Sequence, residues 1–199
     1  ADAIRDFVFS YQDKSMAAKL KDAAEEYYSR AISLEPDNPT FYHSRGVLYS
    51  FKKELSKAAA DYRTALEKNP KYAPAYFDLA LLFNASAMYQ NSYDYLTKAI
   101  EYAPDFGEPY YQRALLLMSI YTPWGLSRSA GVRLSQFKGQ NDATEMAIKD
   151  LSYLVEKIPN CTDGWSLLGD AYYNIRKFKE AINAFTVALS YIPDSANTL

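Results

Sequence analysis

Five of the nine prolines in this chain stand on one lattice. Pro36, Pro70 and Pro104 are 34 residues apart, and so are Pro159 and Pro193. The gap from Pro104 to Pro159 is 55 residues, one period plus 21. Proline has no N–H to give to a helix and its ring clashes with the preceding turn, so each lattice position closes a helical stretch. Pro39, Pro74 and Pro109 lie where the next stretch begins, in the first turn that tolerates proline. A chain punctuated in this way is confined to short helices in units of one size.

The residues between the prolines keep the same register. Five residues before the closing proline stand Ala31, Ala65, Ala99, Leu154 and Ala188; twelve before stand Ala24, Ala58, Ser92, Ala147 and Ala181. Eight before come Tyr28, Tyr62, Leu96, Leu151 and Phe185. Twenty-four before come Gln12, Gly46, Ala80 and Gly169, with Ala114 in that place in the fourth unit, and Tyr42, Tyr76, Tyr110 and Trp165 lie four residues earlier. Small residues let two antiparallel helices approach, and the aromatics fill the space left over. Gln12 departs from the pattern, so the two helices expected in the first unit pack less closely.

A period of 34 with this order of small, aromatic and proline positions, clearest from Asn38 to Pro70, resembles the tetratricopeptide repeat. The resemblance implies an all-α chain, a right-handed α-solenoid of about five helix–turn–helix units in a single domain. The units are about 5–38, 39–72, 73–106, 107–161 and 162–195, with an insertion at 119–143 in the fourth. That insertion holds three of the seven glycines, and Arg128, Arg133 and Lys138 against Asp142. It reads as a loop with a short helix around Val132 to Phe137, either a surface excursion or a functional segment. Its cations make it the expected first target of trypsin.

Composition narrows function by exclusion. His43 is the only histidine and Cys161 the only cysteine, so multi-histidine metal sites and an intrachain disulfide have no residues to build them, and the usual nucleophile–base pairs are hard to build, with Cys161 and His43 on separate units of the repeat. No GxxxxGK[ST], GxGxxG or CxxC sequence occurs. No enzyme activity, cofactor or metal is therefore expected. A net charge of -2 gives no general attraction to nucleic acid, and no stretch approaches the length of a membrane span. The chain begins ADAIRDFVFS, without an initiator Met or signal peptide, which reads as a trimmed or processed start. The compartment stays open.

The resemblance also implies where a partner sits, because the first helix of each unit in that family lines an inner groove. The positions expected there are Phe9 and Asp13 in the first unit, and His43, Val47 and Phe51 in the second. Phe77, Asp78 and Leu81 follow in the third, Tyr111, Leu115 and Met118 in the fourth, and Asp170 and Tyr173 in the fifth. Phe77, Leu81, Tyr111 and Leu115 are expected to face one trough, with Asp78, Glu108 and Asp170 around it. Members that hold acidic C-terminal tails of heat-shock chaperones use a clamp of Lys, Asn and Arg in this groove. Here the matching places hold Phe9, Asp13, Thr40, Ser44, Pro74 and Asp78, with no cation for a carboxylate. The expected partner is instead an apolar or aromatic, partly basic segment of a protein, captured by an adaptor or chaperone-like module. The alternative is a structural subunit held in a larger complex through its ends, convex face or insertion. The final helix, Lys179 to Tyr191, carries an apolar side that an oligomer or partner is expected to cover.

Overall fold

The computed structural model describes residues 14–121 and 133–192, and among these every regular element is a helix. We number them α1 (Lys14–Leu34), α2 (Pro39–Phe51), α3 (Leu55–Lys68), α4 (Ala73–Ala85) and α5 (Tyr89–Tyr102), then α6 (Gly107–Tyr121), α7 (Gln140–Lys157), α8 (Thr162–Asn174) and α9 (Phe178–Ser190). They form two compact bodies, Ala1–Ser86 and Ala87–Leu199. In the first, α2 packs on α1 and α3, and α3 on α4; in the second, α6 packs on α5 and α7, and α8 on α7 and α9.

Local chemistry sets the boundaries. Asn38 caps α2, its side-chain oxygen accepting from the Thr40 N–H at 3.1 Å, and Pro39 follows in the first turn. The turns inside units use a left-handed residue without glycine: Lys53 at φ 62°, Ala87 at 58° and Arg176 at 63°. Such a residue costs about 1–2 kcal/mol, so packing of the flanking helices must hold it. Thirty-four residues beyond Ala87 lies Tyr121, where α6 instead continues and the insertion begins.

Two expectations change here. The first unit shows no break where its turn was expected: α1 runs without interruption from Lys14 to Leu34. Its sequence there, KSMAAKLKDAA, is built of strong helix formers. Ala24 and Tyr28 of α1 form a buried apolar cluster with Leu48 of α2. At its edge Lys52 reaches Glu25 at 2.6 Å and Asp22 at 3.2 Å, and the Tyr49 hydroxyl donates to Glu25 at 3.0 Å.

The second change concerns the insertion. Val132 and Arg128 lie outside the described residues, and Arg133–Lys138 forms turns, not the expected helix. This stretch is nonetheless docked. Leu134 is buried and its N–H donates to the Tyr121 hydroxyl at 2.8 Å; the Ser135 N–H donates to Gln90 at 2.9 Å. Phe137 meets Tyr93 edge-on at 5.5 Å and Tyr121 at 5.9 Å. Trypsin should therefore cut after Lys138 slowly in the native protein and much faster in Phe137→Ala, measured by mass spectrometry of early fragments. Equal rates would show that this docking does not protect the return of the loop.

The aromatic four residues before each close-approach position has a definite task. The Tyr42 and Tyr76 hydroxyls donate to the Pro36 and Pro70 carbonyls at 3.0 Å each, and the Trp165 indole N–H to the Pro159 carbonyl at 2.7 Å. In the fourth unit Tyr153 donates to the Pro104 carbonyl at 3.0 Å, and Tyr110 stacks on Tyr153 at 4.6 Å. Each bond satisfies a carbonyl at the closing proline. Tyr76→Phe should cost about 0.5–1.5 kcal/mol in chemical denaturation, and no change would mean that water replaces the bond freely.

One buried polar arrangement recurs. Arg45 makes two bonds to Asp61, both 2.8 Å, and one to Ser29 at 3.2 Å. Two units on, Arg113 makes two bonds to Asp150, 2.8 and 2.7 Å, and one to Thr97 at 2.9 Å. Arg113 and Asp150 are 5% and 2% exposed. Burial pushes the Asp150 carboxyl up from its ordinary value, against the pull of the guanidinium. At the same register the third and fifth units carry Leu79 with Tyr95 and Leu168 with Ala184.

Candidate functional site

The first helix of each unit positions the candidate residues, and each body presents its own part. In the first body α2 and α4 lie side by side. His43 Nε2 sits 2.7 Å from an Asp78 carboxylate oxygen, joining these two helices. The His43 ring also meets Tyr72 edge-on at 5.4 Å and lies 5.7 Å from Tyr62. Asp78 is therefore engaged by a neighbour, unlike the open carboxylate expected of a groove. Val47, Phe77 and Leu81 are half-buried, and Phe51 is exposed at the end of α2.

In the second body α6 and α8 are neighbours. Leu115 is 40% and Tyr173 53% exposed, with Tyr173 edge-on to Phe178 at 5.6 Å. Tyr111 is half-buried, and burial, followed by the nearby charge of Asp163, pushes its phenol up. Asp170 is exposed, and partial burial of its carboxyl still pushes that group up. Met118 does not belong on this surface, being buried at 6%. α6 runs on past it to Tyr121, and the docked segment from Leu134 to Phe137 covers that end of the helix. Phe9 and Asp13 lie outside the described residues.

The charges on these four helices are distributed unevenly. Their only cations are Arg45 and Arg113, each tied by two bonds to an aspartate. Glu108, Asp163 and Asp170 are exposed and make no ion pair among the described residues. The two arginine constellations escaped the sequence reading. The signal was present: 25 residues before the closing proline stand Arg45, Leu79 and Leu168, with Arg113 in that place in the fourth unit, and nine before stand Asp61, Tyr95, Asp150 and Ala184. Charge appears at both positions together or at neither.

Among the described residues no group of three His, Cys, Asp or Glu side chains is placed to hold a metal ion. No helix there is long and apolar enough to cross a membrane. Cys161 stands at the start of α8, half-buried beside Gly164.

Comparison with known proteins places this geometry. Models of the tetratricopeptide repeat match residues 16–38, 39–72, 73–106 and 162–195. A TPR repeat-containing protein of Methanocaldococcus jannaschii is 25% identical over 194 residues, 96% of this chain and 32% of its own length. The heat-shock protein cognate co-chaperone sgt12 of Aspergillus fumigatus is 32% identical over 101 residues, 51% of this chain and 30% of its own. The chain thus spans about a third of the length of these curated relatives. A crystal structure of MamA superposes with a TM-score of 0.67 at 18% identity, covering 100% of this chain and 97% of that one, which shows a shared all-α fold of paired helices. The chain belongs to the tetratricopeptide repeat family, whose members are generally non-enzymatic modules that bind other proteins.

Proposed function

We propose that this protein captures an apolar or aromatic, partly basic segment of a partner on the first-helix faces of its units, as an adaptor or chaperone-like assembly factor. The observation that carries this reading is the charge pattern on α2, α4, α6 and α8. Leu115 and Tyr173 stay exposed on α6 and α8, the helices that carry the open carboxylates Glu108, Asp163 and Asp170; Phe51 is exposed on α2, and both arginines are consumed by aspartates. A persistent exposed apolar surface marks an interaction site. Carboxylates around it favour cations on the partner and repel acidic tails, acting on specificity and association rate. The partner implied by the co-chaperone relative's name is not carried over, because an acidic tail would find no free cation on these four helices.

Capture from lysate by wild type and by variants, compared side by side, tests the proposal. Leu115→Ala should weaken capture at every ionic strength, by up to about 1.5–3 kcal/mol if that side chain is fully buried by the partner. Asp163→Lys with Asp170→Lys should weaken it mainly at low salt. Asp78 is the poorer charge probe, since changing it also breaks the contact with His43. Full capture by all of these variants would remove the first-helix face from consideration.

A second reading is favoured by α9, where Phe178, Ile182 and Leu189 are exposed at 52%, 66% and 66%. These residues share one helix face and suit a subunit held within an assembly. A monodisperse monomer at high concentration, with no dye-accessible apolar surface, would speak against it.

A further inference from the structure

A cleft of about 260 Å³ opens between α7, α8 and α9, on residues separate from the proposed partner face. Its apolar lining is Val155, Trp165, Leu168 and Ala184, and Glu156 and Glu180 also line it. Its origin is visible in the register. The place of Ala184 is held by Asp61, Tyr95 and Asp150 in the other units, each larger than alanine. With Leu168 opposite in place of an arginine, the fifth unit lacks both the charge pair of the fourth and the tyrosine of the third. The cleft lies over this smaller pair: Val155, Leu168 and Ala184 form its floor and are only 5%, 4% and 1% exposed.

We propose that this cleft receives one arginine side chain of a partner protein. The volume is below the roughly 300–1,000 Å³ usual for drug-sized ligands, and suits a single long side chain. Its aliphatic stem lies over that floor between Trp165 and Tyr172, and its guanidinium reaches Glu156 and Glu180. Neither glutamate makes an ion pair among the described residues, so both charges are available. Trp165 has its indole N–H committed to the Pro159 carbonyl at 2.7 Å, which fixes the ring as a wall of the cleft. A planar guanidinium stacks on such a ring and forks between carboxylates, which an ammonium does not. The inference stands independently of the first-helix face.

The test uses blocked tripeptides, acetyl-Ala-X-Ala-amide with X as arginine, lysine, norleucine or glutamate, and follows the Trp165 indole N–H by NMR. The arginine peptide should give a saturable shift in the millimolar range, the lysine peptide a weaker one, and norleucine and glutamate none. Glu156→Gln with Glu180→Gln should abolish saturation while leaving the fold intact. Ala184→Tyr, which places the tyrosine of the third unit in the fifth, should abolish it by filling the space. Saturation by norleucine equal to that by arginine would overturn the proposal, as would arginine binding that survives both sets of changes. Lysine binding as tight as arginine binding would overturn the assignment to arginine.

Discussion

Arg113→Ala should lower stability by about 3–5 kcal/mol, the cost of leaving one member of a buried ion pair without its partner. Asp150, 2% exposed beside Arg113 in the intact protein, would then lose the two bonds that satisfy its carboxylate. The pair is not irreplaceable, since the fifth unit does without it. Arg113→Leu combined with Asp150→Ala installs Leu168 and Ala184 from that unit, and Thr97 keeps its own bond to the Tyr93 carbonyl at 2.9 Å. The double variant should therefore recover most of the loss, because neither charge remains to be desolvated. Urea unfolding of the wild type, single and double variants decides the matter. A single variant as stable as wild type would mean that the pair is open to water. A double variant no better than the single would mean that its value lies in shape and not in charge balance.

Gly46→Leu should destabilise the second unit by about 1–3 kcal/mol or more through overpacking. A Cβ at Gly46 would fall 2.6 Å from Tyr62 Cε1 and 3.2 Å from the Ala58 carbonyl oxygen. Gly169 is the same case, its Cβ falling 2.5 Å from Phe185 Cε1. Across the units the two positions trade volume. Gly46 and Gly169 face Tyr62 and Phe185, while Ala80 and Ala114 occupy that register in units that carry Leu96 and Leu151. Gly46→Ala alone should therefore destabilise, and Gly46→Ala with Tyr62→Leu should restore part of the loss, less the Tyr62–Ser50 hydroxyl bond of 3.1 Å. An unchanged denaturation midpoint in Gly46→Leu would contradict the packing of α2 on α3.

Much of this architecture was legible because it follows from backbone punctuation and side-chain size. The proline lattice marks where helices end, and Gly46 with Tyr62 marks where two of them touch. The unbroken α1 was harder to read, because a turn in this fold depends on tertiary packing more than on its own residues. Lys53, Ala87 and Arg176 take left-handed conformations without glycine, so no turn residue announces them and none was missing from the first unit. The docking of Leu134 and Phe137 was likewise hidden, since an insertion has no register to be compared with. Among the candidate partner residues, exposure at Leu115 and Tyr173 agrees with the periodic reading, and Met118 departs from it because α6 overruns its expected end. The contact of His43 with Asp78 joins two units at positions offset by one in the repeat, which comparison of equivalent positions does not reveal. The aromatic-to-proline bonds were visible only as a recurrent large residue, without the carbonyl that explains it.

Site-specific photo-cross-linking most directly tests the claim that the first-helix faces hold the partner. A photoreactive phenylalanine would be placed at Leu81 or Leu115 on first helices, and at the exposed Arg63 or Lys149 on second helices. The proposed function predicts partner adducts from Leu81 and Leu115, reduced by the Asp163→Lys and Asp170→Lys pair at low salt, with little from Arg63 or Lys149. Adducts confined to Arg63 or Lys149, with none from Leu81 or Leu115, would contradict it.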